Sequence, residues 1–290
     1  MKGHLLTSLL LCNLLFLSNC IQFGDLFGSN DDSKKQRDAL LLLGVANQVS
    51  VANSPCPPTV LPNDIAIANT VVASPSSNIS LPFKDPQKAI NGVCGAGQFA
   101  GSTDVYSLGT TLATGFLTLS WNGRTVRNVS GIDFVVYENP FQYSGSDTYF
   151  LEAIVVEVSF DGTNFCGFAP EYRGTFIDVS QRRQDWDGFA GLTPVLYNMG
   201  SNRLSLNDLF ANPTSEGYMG TGGGDGFDLD QLSTDNSFSI GCTTTVFNTI
   251  KQSGFRFVRL TNATVRGFPA PRGSFDGAPD IDGVVARQAN

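Results

Sequence analysis

Short apolar segments alternate with polar turn residues along the chain from about Thr59 to its end. The apolar segments are rich in β-branched and aromatic residues, and clusters of Gly, Asn, Asp and Ser separate them, as is typical of strands joined by turns. A helical period appears only at residues 243–251. The clearest predicted strands are residues 115–121, 132–137, 151–160, 254–262 and 283–287. No break in composition divides residues 59–290, so the pattern predicts one antiparallel β-sandwich.

Residues 151–160 show the two-residue period of a strand most clearly. One face would carry Ile154, Val156, Val158 and Phe160, and the other Ala153, Val155 and Glu157. The polar turn at residues 161–164 leads into Phe165, which predicts a hairpin. Glu157 stands between two valines, and we expect it to pair with an arginine such as Arg256 or Arg259.

The first twenty residues have the pattern of an export leader. One lysine lies before residues 5–17, a mostly apolar segment that is shorter than the roughly 20 residues of a membrane-spanning helix. Leu17-Ser18-Asn19-Cys20 then resembles a bacterial lipobox, in which the cysteine is acylated and becomes the mature N-terminus. We therefore predict a lipoprotein signal peptide at residues 1–19 and acylation, palmitate included, at Cys20. The alternative is an ordinary secretory signal with an incidental cysteine.

Residues 20–58 are predicted to form a tether between the acylated cysteine and the β-sandwich of residues 59–290. Residues 24–35 are rich in Gly, Ser and Asp, and residues 54–58 are rich in proline. Such a spacer would hold the domain off the membrane surface. Residues 36–49 contain an apolar segment that would form one short helix, either within the tether or packed onto the domain.

Composition and charge narrow the functional classes. The chain has 18 Lys+Arg against 26 Asp+Glu, a net charge of −8, and no basic cluster, which argues against nucleic acid as a partner. Its 41% hydrophobic and 11% aromatic residues argue against a disordered chain. The single histidine is His4, inside the predicted leader. The exported chain would therefore lack Ser–His and Cys–His catalytic pairs and His-ligated metal sites.

The six cysteines fall into two groups. Cys12 would be removed with the leader, and Cys20 would carry the lipid. The remaining four are Cys56, Cys94, Cys166 and Cys242. An even number in an oxidising compartment predicts two disulfides, with three connectivities open. Free buried thiols are the alternative.

Several motifs, taken in their order along the chain, resemble those of a family of bacterial cell-surface proteins. The most specific is Gly131-Ile132-Asp133-Phe134-Val135-Val136-Tyr137-Glu138-Asn139-Pro140-Phe141. The others are residues 84–90, 104–109, 152–162, 189–195, 223–229 and 280–285. Together with the lipobox, they resemble the leptospiral branch of exported lipoproteins. The resemblance implies a jelly-roll, galactose-binding-like domain and a lipid-anchored location at the outer membrane, exposed at the surface, but it implies no activity.

Acidic residues gather at two places in the sequence. They are Asp225, Asp228 and Asp230 within six positions, and Asp276, Asp280 and Asp282 within seven. Ca²⁺ takes oxygen ligands and needs neither His nor Cys, and the neighbouring glycines would let backbone carbonyls turn inward. We therefore predict a calcium site that uses some of these residues, with Glu138 at the end of a predicted strand. The alternative is that these carboxylates only cap turns.

The sequence thus predicts a non-catalytic, membrane-anchored surface lipoprotein whose β-sandwich binds a carbohydrate or a host or envelope protein. Trp186 and Tyr143 would suit sugar stacking if they are exposed, although such residues more often belong to a core. A purely structural envelope component is one alternative. The other is a glycan-processing enzyme that works through paired carboxylates.

Overall fold

A computed structural model describes residues 56–202, 204–211, 221–234, 239–271 and 277–290. The predicted leader, Cys20, the helix expected within residues 36–49 and Asp276 lie outside these residues. The strands of the described residues, in chain order, are β1 (Ala66–Ile67), β2 (Thr70–Ala73), β3 (Tyr106–Ser107), β4 (Phe116–Ser120), β5 (Phe134–Tyr137), β6 (Phe141–Gln142), β7 (Tyr149–Phe150), β8 (Ile154–Ser159), β9 (Cys166–Gly167), β10 (Glu171–Tyr172), β11 (Trp186–Asp187), β12 (Phe189–Ala190), β13 (Asp225–Phe227), β14 (Phe257–Asn262), β15 (Asp280–Ile281) and β16 (Gly283–Ala286). The α-helices are α1 (Leu206–Leu209) and α2 (Thr244–Ser253). Short 3₁₀ turns occupy Pro75–Asn78, Pro86–Ala89, Arg183–Asp185, Leu229–Gln231 and Ala263–Arg266.

Two antiparallel sheets form the body of the fold. The first sheet has the strand order β1-β16-β5-β13. The second sheet has the order β12-β8-β14-β4-β2, and β9 also pairs with β8. Three two-stranded ribbons, β10–β11, β3–β15 and β6–β7, complete the pairing. The all-β sandwich that the sequence predicts is therefore confirmed.

The central core lies between the two sheets. Leu119 of β4 and Val156 of β8 belong to the same buried cluster as Val136 of β5 and Val284 of β16. At its centre the ring of Phe134 is 5.0 Å from that of Phe255 and 5.3 Å from that of Phe227, measured between centroids. Since apolar burial is the dominant favourable term in folding, this shared core holds the sheets together.

Two further apolar clusters cover the outer faces of the sheets. On the first sheet, Val135 and Tyr137 of β5 pack with Leu209 of α1. On the second sheet, Val155 of β8 packs with Trp186 of β11, and we call this second group the Trp186 cluster. Because both faces are covered, every residue of β5 and β8 is buried, and these strands appear in the sequence as nearly continuous apolar segments.

The predicted elements agree with the observed ones. All five predicted strands are confirmed, each slightly shorter than expected, and the hairpin after residue 160 is the β8–β9 pair. The expected helix is α2, which begins where the Thr243 side chain accepts a hydrogen bond from the backbone of Val246. It ends at Gly254, whose φ of 87° suits glycine. Among the described residues, no helix has both the length and the apolar character needed to cross a membrane.

The structure contains the two disulfides that the sequence predicts and gives the connectivity that the sequence left open. Cys56 is bonded to Cys94, with a Cα–Cα distance of 5.7 Å, and Cys166 to Cys242, at 4.9 Å. The first bond joins the start of the described chain to the outer cluster of the first sheet. The second joins β9 to the segment that leads into α2.

Candidate functional site

A cleft of about 940 Å³ opens beside the Trp186 cluster. Its lining comes from residues 142–149 around the β6–β7 ribbon, residues 168–173 before and within β10, residues 183–193 around β11 and β12, strand β13, and Gln231 in the turn after it. The segment 183–193 is fixed there because Trp186 and Phe189 are buried and Phe189 pairs with Val155 of β8. The pairing of β12 with β8 of the second sheet therefore holds this part of the cleft lining in place.

Asp225 lies at the base of the cleft, at the start of β13. Its side chain is only 4% exposed, and Oδ2 accepts hydrogen bonds from the backbone of Leu192 at 2.9 Å and of Thr193 at 3.3 Å. Burial raises the pKa of Asp225 to about 6, although these hydrogen bonds and the charge of Arg183 act in the opposite direction. Gly224 precedes it with a φ of 73°, and a Cβ there would lie 2.7 Å from the Tyr137 ring. Glycine at this position therefore lets β13 approach β5.

Arg183 projects into the cleft from a 3₁₀ turn. Its guanidinium carbon is 4.8 Å from the centroid of the Tyr149 ring, and Nη1 donates a hydrogen bond to the Thr193 hydroxyl at 3.2 Å. Within the described residues, Arg183 makes no ion pair. It is therefore a fixed cation that has no directly bonded counter-charge.

The other charged groups around the cleft are paired. Arg173 contacts Asp187 at 2.7 Å and Glu171 at 3.1 Å, and all three are exposed. Asp147 pairs with Arg182 at 3.5 Å. The amide side chains that line the cleft are Gln142, Gln184 and Gln231. The lining therefore offers donors and acceptors for many hydrogen bonds.

Trp186 and Tyr143, which the sequence analysis considers for sugar stacking, are buried and half-buried, respectively. Trp186 lines the cleft but is 3% exposed, donates its indole N–H to the Ser180 carbonyl at 3.1 Å and packs against Tyr172. Tyr143 is half-buried, and its ring contacts Phe141 edge to face. Trp186 therefore presents no open ring face for stacking, and Tyr143 is not part of the cleft lining.

The carboxylates of the first acidic cluster, Asp225, Asp228 and Asp230, each have a different partner. Whereas Asp225 faces the cleft, Asp228 caps the turn Leu229–Gln231 by accepting the backbone N–H of Asp230 at 2.8 Å. Asp230 pairs with Lys251 at 2.6 Å. The turn-capping role that the sequence analysis left open thus applies to Asp228.

The second acidic cluster divides in the same way. Asp282 is buried, and both of its carboxylate oxygens accept the backbone N–H of Cys94, at 2.9 and 3.0 Å. Burial raises its pKa well above the usual range. Asp280 accepts a hydrogen bond from the Ser107 hydroxyl, and its backbone N–H donates to Glu138 Oε1 at 2.8 Å. Asp280 and Glu138 therefore lie together, while the Asp282 carboxylate is bonded to the backbone of Cys94.

Among the described residues predicted to bind Ca²⁺, Glu138 is the one that has a buried oxygen without a hydrogen-bond partner. Its Oε2 atom is buried and has no hydrogen-bond partner among the described residues. Burial raises its pKa well above the usual range, and the negative charges of Asp280 and Asp225 raise it further. Within the described part of the chain, no three His, Cys, Asp or Glu side chains are grouped so that they could hold a metal ion. The calcium site stays a prediction.

Glu157 and Asp133 are two further buried carboxylates, and the sequence analysis predicts a partner only for Glu157. Glu157 pairs with Arg259, as expected, and also with Arg266 at 2.8 Å, while Arg256 instead lies over the Phe160 ring. Asp133 is fully buried although the sequence pattern predicts no role for it, and it accepts backbone hydrogen bonds from the nearby Val129 and from the distant Leu229. Burial raises the pKa of Asp133 to about 6. In the sequence, only the position of Asp133 just before an apolar strand indicates that it could be buried.

The chain matches no protein-family profile and no curated protein sequence. The candidate site therefore depends on the geometry of the cleft and on the chemistry of the residues that line it.

Proposed function

We propose that the chain is an exported lipoprotein, anchored in the outer membrane through Cys20, whose β-sandwich binds carbohydrate without catalysing a reaction. The ligand would occupy the cleft that Arg183, Asp225 and the Trp186 cluster border. The predicted tether at residues 20–58 would hold this domain away from the membrane and expose it at the cell surface.

The cleft carries this proposal. Its volume of about 940 Å³ falls within the usual range of small-molecule sites, about 300–1,000 Å³. Amide, carboxylate and guanidinium groups line it together with the aromatic residues Tyr149, Phe168, Trp186, Phe189 and Phe227. Hydroxyl groups of a sugar both donate and accept hydrogen bonds, so this mixed lining suits a sugar better than an apolar ligand.

The arrangement of the carboxylates favours binding over catalysis. A glycosidase places two carboxyl groups on opposite sides of one glycosidic bond. Here Asp225 is held by two backbone N–H groups, and the rim carboxylates Asp147 and Asp187 are paired with arginines. Each carboxylate thus has a structural partner instead of a free face.

A binding screen tests the proposal. The full chain, purified in detergent, would be applied to a glycan array and the hits measured by calorimetry. The variant Gln184→Trp should abolish binding, since Gln184 is an exposed residue of the cleft lining and a larger ring there fills the space. The control Gln252→Trp, exposed on α2, should bind as the natural chain does. The absence of any glycan ligand would favour the structural envelope component instead.

A further inference from the structure

We propose that the cleft is specific for a sugar that carries a carboxylate, of the uronic acid class, and that Arg183 binds this carboxylate. The inference rests on the proposed function, because it names the ligand class for the same cleft.

The unused hydrogen-bonding capacity of Arg183 is the first argument. A guanidinium has five N–H donors, and in the described residues Arg183 uses one of them, toward the Thr193 hydroxyl. The neighbouring arginines differ, since Arg173 and Arg182 each pair with a rim carboxylate. Arg183 is thus a cation inside the cleft that keeps most of its donors for a ligand.

The rigid placement of Arg183 is the second argument. The side chain lies over the ring of Tyr149, which is 7% exposed, and is bonded to Thr193, which is 4% exposed. Both partners are held by the core, so the planar guanidinium keeps one orientation before the ligand arrives. An oriented guanidinium binds a carboxylate through two parallel hydrogen bonds, and preorganisation lowers the entropic cost of binding.

The remaining charges of the lining favour an acidic sugar over an acidic peptide. The other charged residues that line the cleft are Asp147, Asp187, Asp225 and the doubly paired Arg173. A peptide with several carboxylates would be repelled by these three aspartates. A uronic acid has a single carboxylate for Arg183, and its hydroxyl groups donate hydrogen bonds to carboxylates.

Calorimetry with paired ligands tests the inference on the full chain in detergent. The probes are a galactose trisaccharide in which one residue is replaced by galacturonic acid and the matching neutral galactose trisaccharide. We expect the acidic ligand to bind about tenfold more tightly, since a bidentate ion pair of this kind is worth roughly one decade of affinity. Arg183→Gln should remove that preference, because it should weaken binding of the acidic ligand much more than binding of the neutral one. Arg183→Lys should restore only part of it, because an ammonium lacks the planar fork.

The matched control is Arg256→Gln, which removes an exposed arginine outside the cleft lining and should keep the full preference. Equal affinity for the two sugars, or a preference that survives Arg183→Gln in a folded protein, would overturn the inference and leave the proposed function intact. Binding of neither sugar class would overturn both. Arg183-dependent binding of a poly-glutamate peptide, without binding of the acidic sugar, would reassign the cleft to a peptide ligand.

Discussion

Glu157 and Arg259 lie directly opposite each other on the neighbouring strands β8 and β14. Arg259 Nη2 donates to Oε1 at 2.6 Å, and Nε donates to Oε2 at 3.0 Å. Arg266 adds a third donor to the same carboxylate, which is fully buried. One acidic group therefore balances two cations on the outer face of the second sheet.

Loss of this carboxylate should destabilise the fold. We expect Glu157→Ala to lower the free energy of unfolding by about 3–5 kcal/mol, because it leaves two partly buried guanidinium groups without their counter-charge. Urea unfolding measures the change. The control is Glu171→Ala, which breaks an exposed ion pair with Arg173 and should cost less than about 1 kcal/mol. Similar losses in the two variants would contradict this interpretation.

The buried carboxyl groups should make the protein more stable in mild acid. The folded-state pKa of Asp133 and of Asp225 is about 6, above the value of about 3.9 expected for an unfolded aspartate. The folded state thus binds more protons between about pH 4 and pH 6. Each group then contributes stability that is complete below pH 4 and is lost as the pH rises through 6, by at most about 3 kcal/mol.

Urea unfolding at pH 4.5 and pH 7.5 tests this sign. The free energy of unfolding should be larger at pH 4.5, and Asp133→Asn should reduce the difference, because an amide does not titrate. Its single oxygen accepts only one of the two backbone N–H groups, so the variant should also be less stable at both pH values. A stability that rises steadily toward pH 7.5 would show that the buried carboxyl groups stay ionised.

Calcium binding predicts a metal-dependent melting temperature. A ligand that binds only the folded state raises the midpoint, so millimolar Ca²⁺ should give a higher value than EDTA. Glu138→Gln should abolish the shift if Glu138 Oε2, the buried atom without a partner, is a ligand. Asp187→Asn provides a control at an exposed residue that is not a candidate ligand and whose carboxylate already pairs with Arg173. Equal midpoints with Ca²⁺ and with EDTA would refute the site.

The membrane anchor is testable independently of the fold. Cells that express the chain should incorporate a radioactive fatty acid into it, and Cys20→Ser should abolish the label and release the protein from the membrane fraction. The acyl chains themselves supply the affinity for the membrane, so no basic surface is required. Protease treatment of intact cells would show whether the domain faces outward. Label that persists after Cys20→Ser would place the acylation elsewhere.

The strands were predictable because their residues satisfy the local pattern and the tertiary structure at once. In β8, Val156 faces the central core and Val155 faces the Trp186 cluster, so alternate residues each have an apolar layer to pack against. The existence of two disulfides followed from the cysteine count. Their connectivity did not, because the sequence does not state which turns lie together in space.

The cleft was not predictable for a related reason. Asp225 and the Thr193 amide are separated by 32 positions, and only the pairing of β13 with β5 and of β12 with β8 brings them together. Arg183 lies in a polar segment whose pattern resembles that of any solvated turn. The clustered aspartates were conspicuous in the sequence, yet the fold directs Asp225, Asp228 and Asp230 to different partners.

The bond between Cys56 and Cys94 also has a mechanical consequence. If the protein is held by its N-terminus, tension along the chain enters the domain at Cys56 and passes through the disulfide to Cys94. The segment between them, which contains β1 and β2, cannot be lengthened by that tension while the bond is intact. The load instead reaches the backbone of Cys94, which is bonded to Asp282 beside β16, in the interior of the first sheet. Tension therefore reaches the first sheet next to the interior strand β16 and not at the edge strand β1.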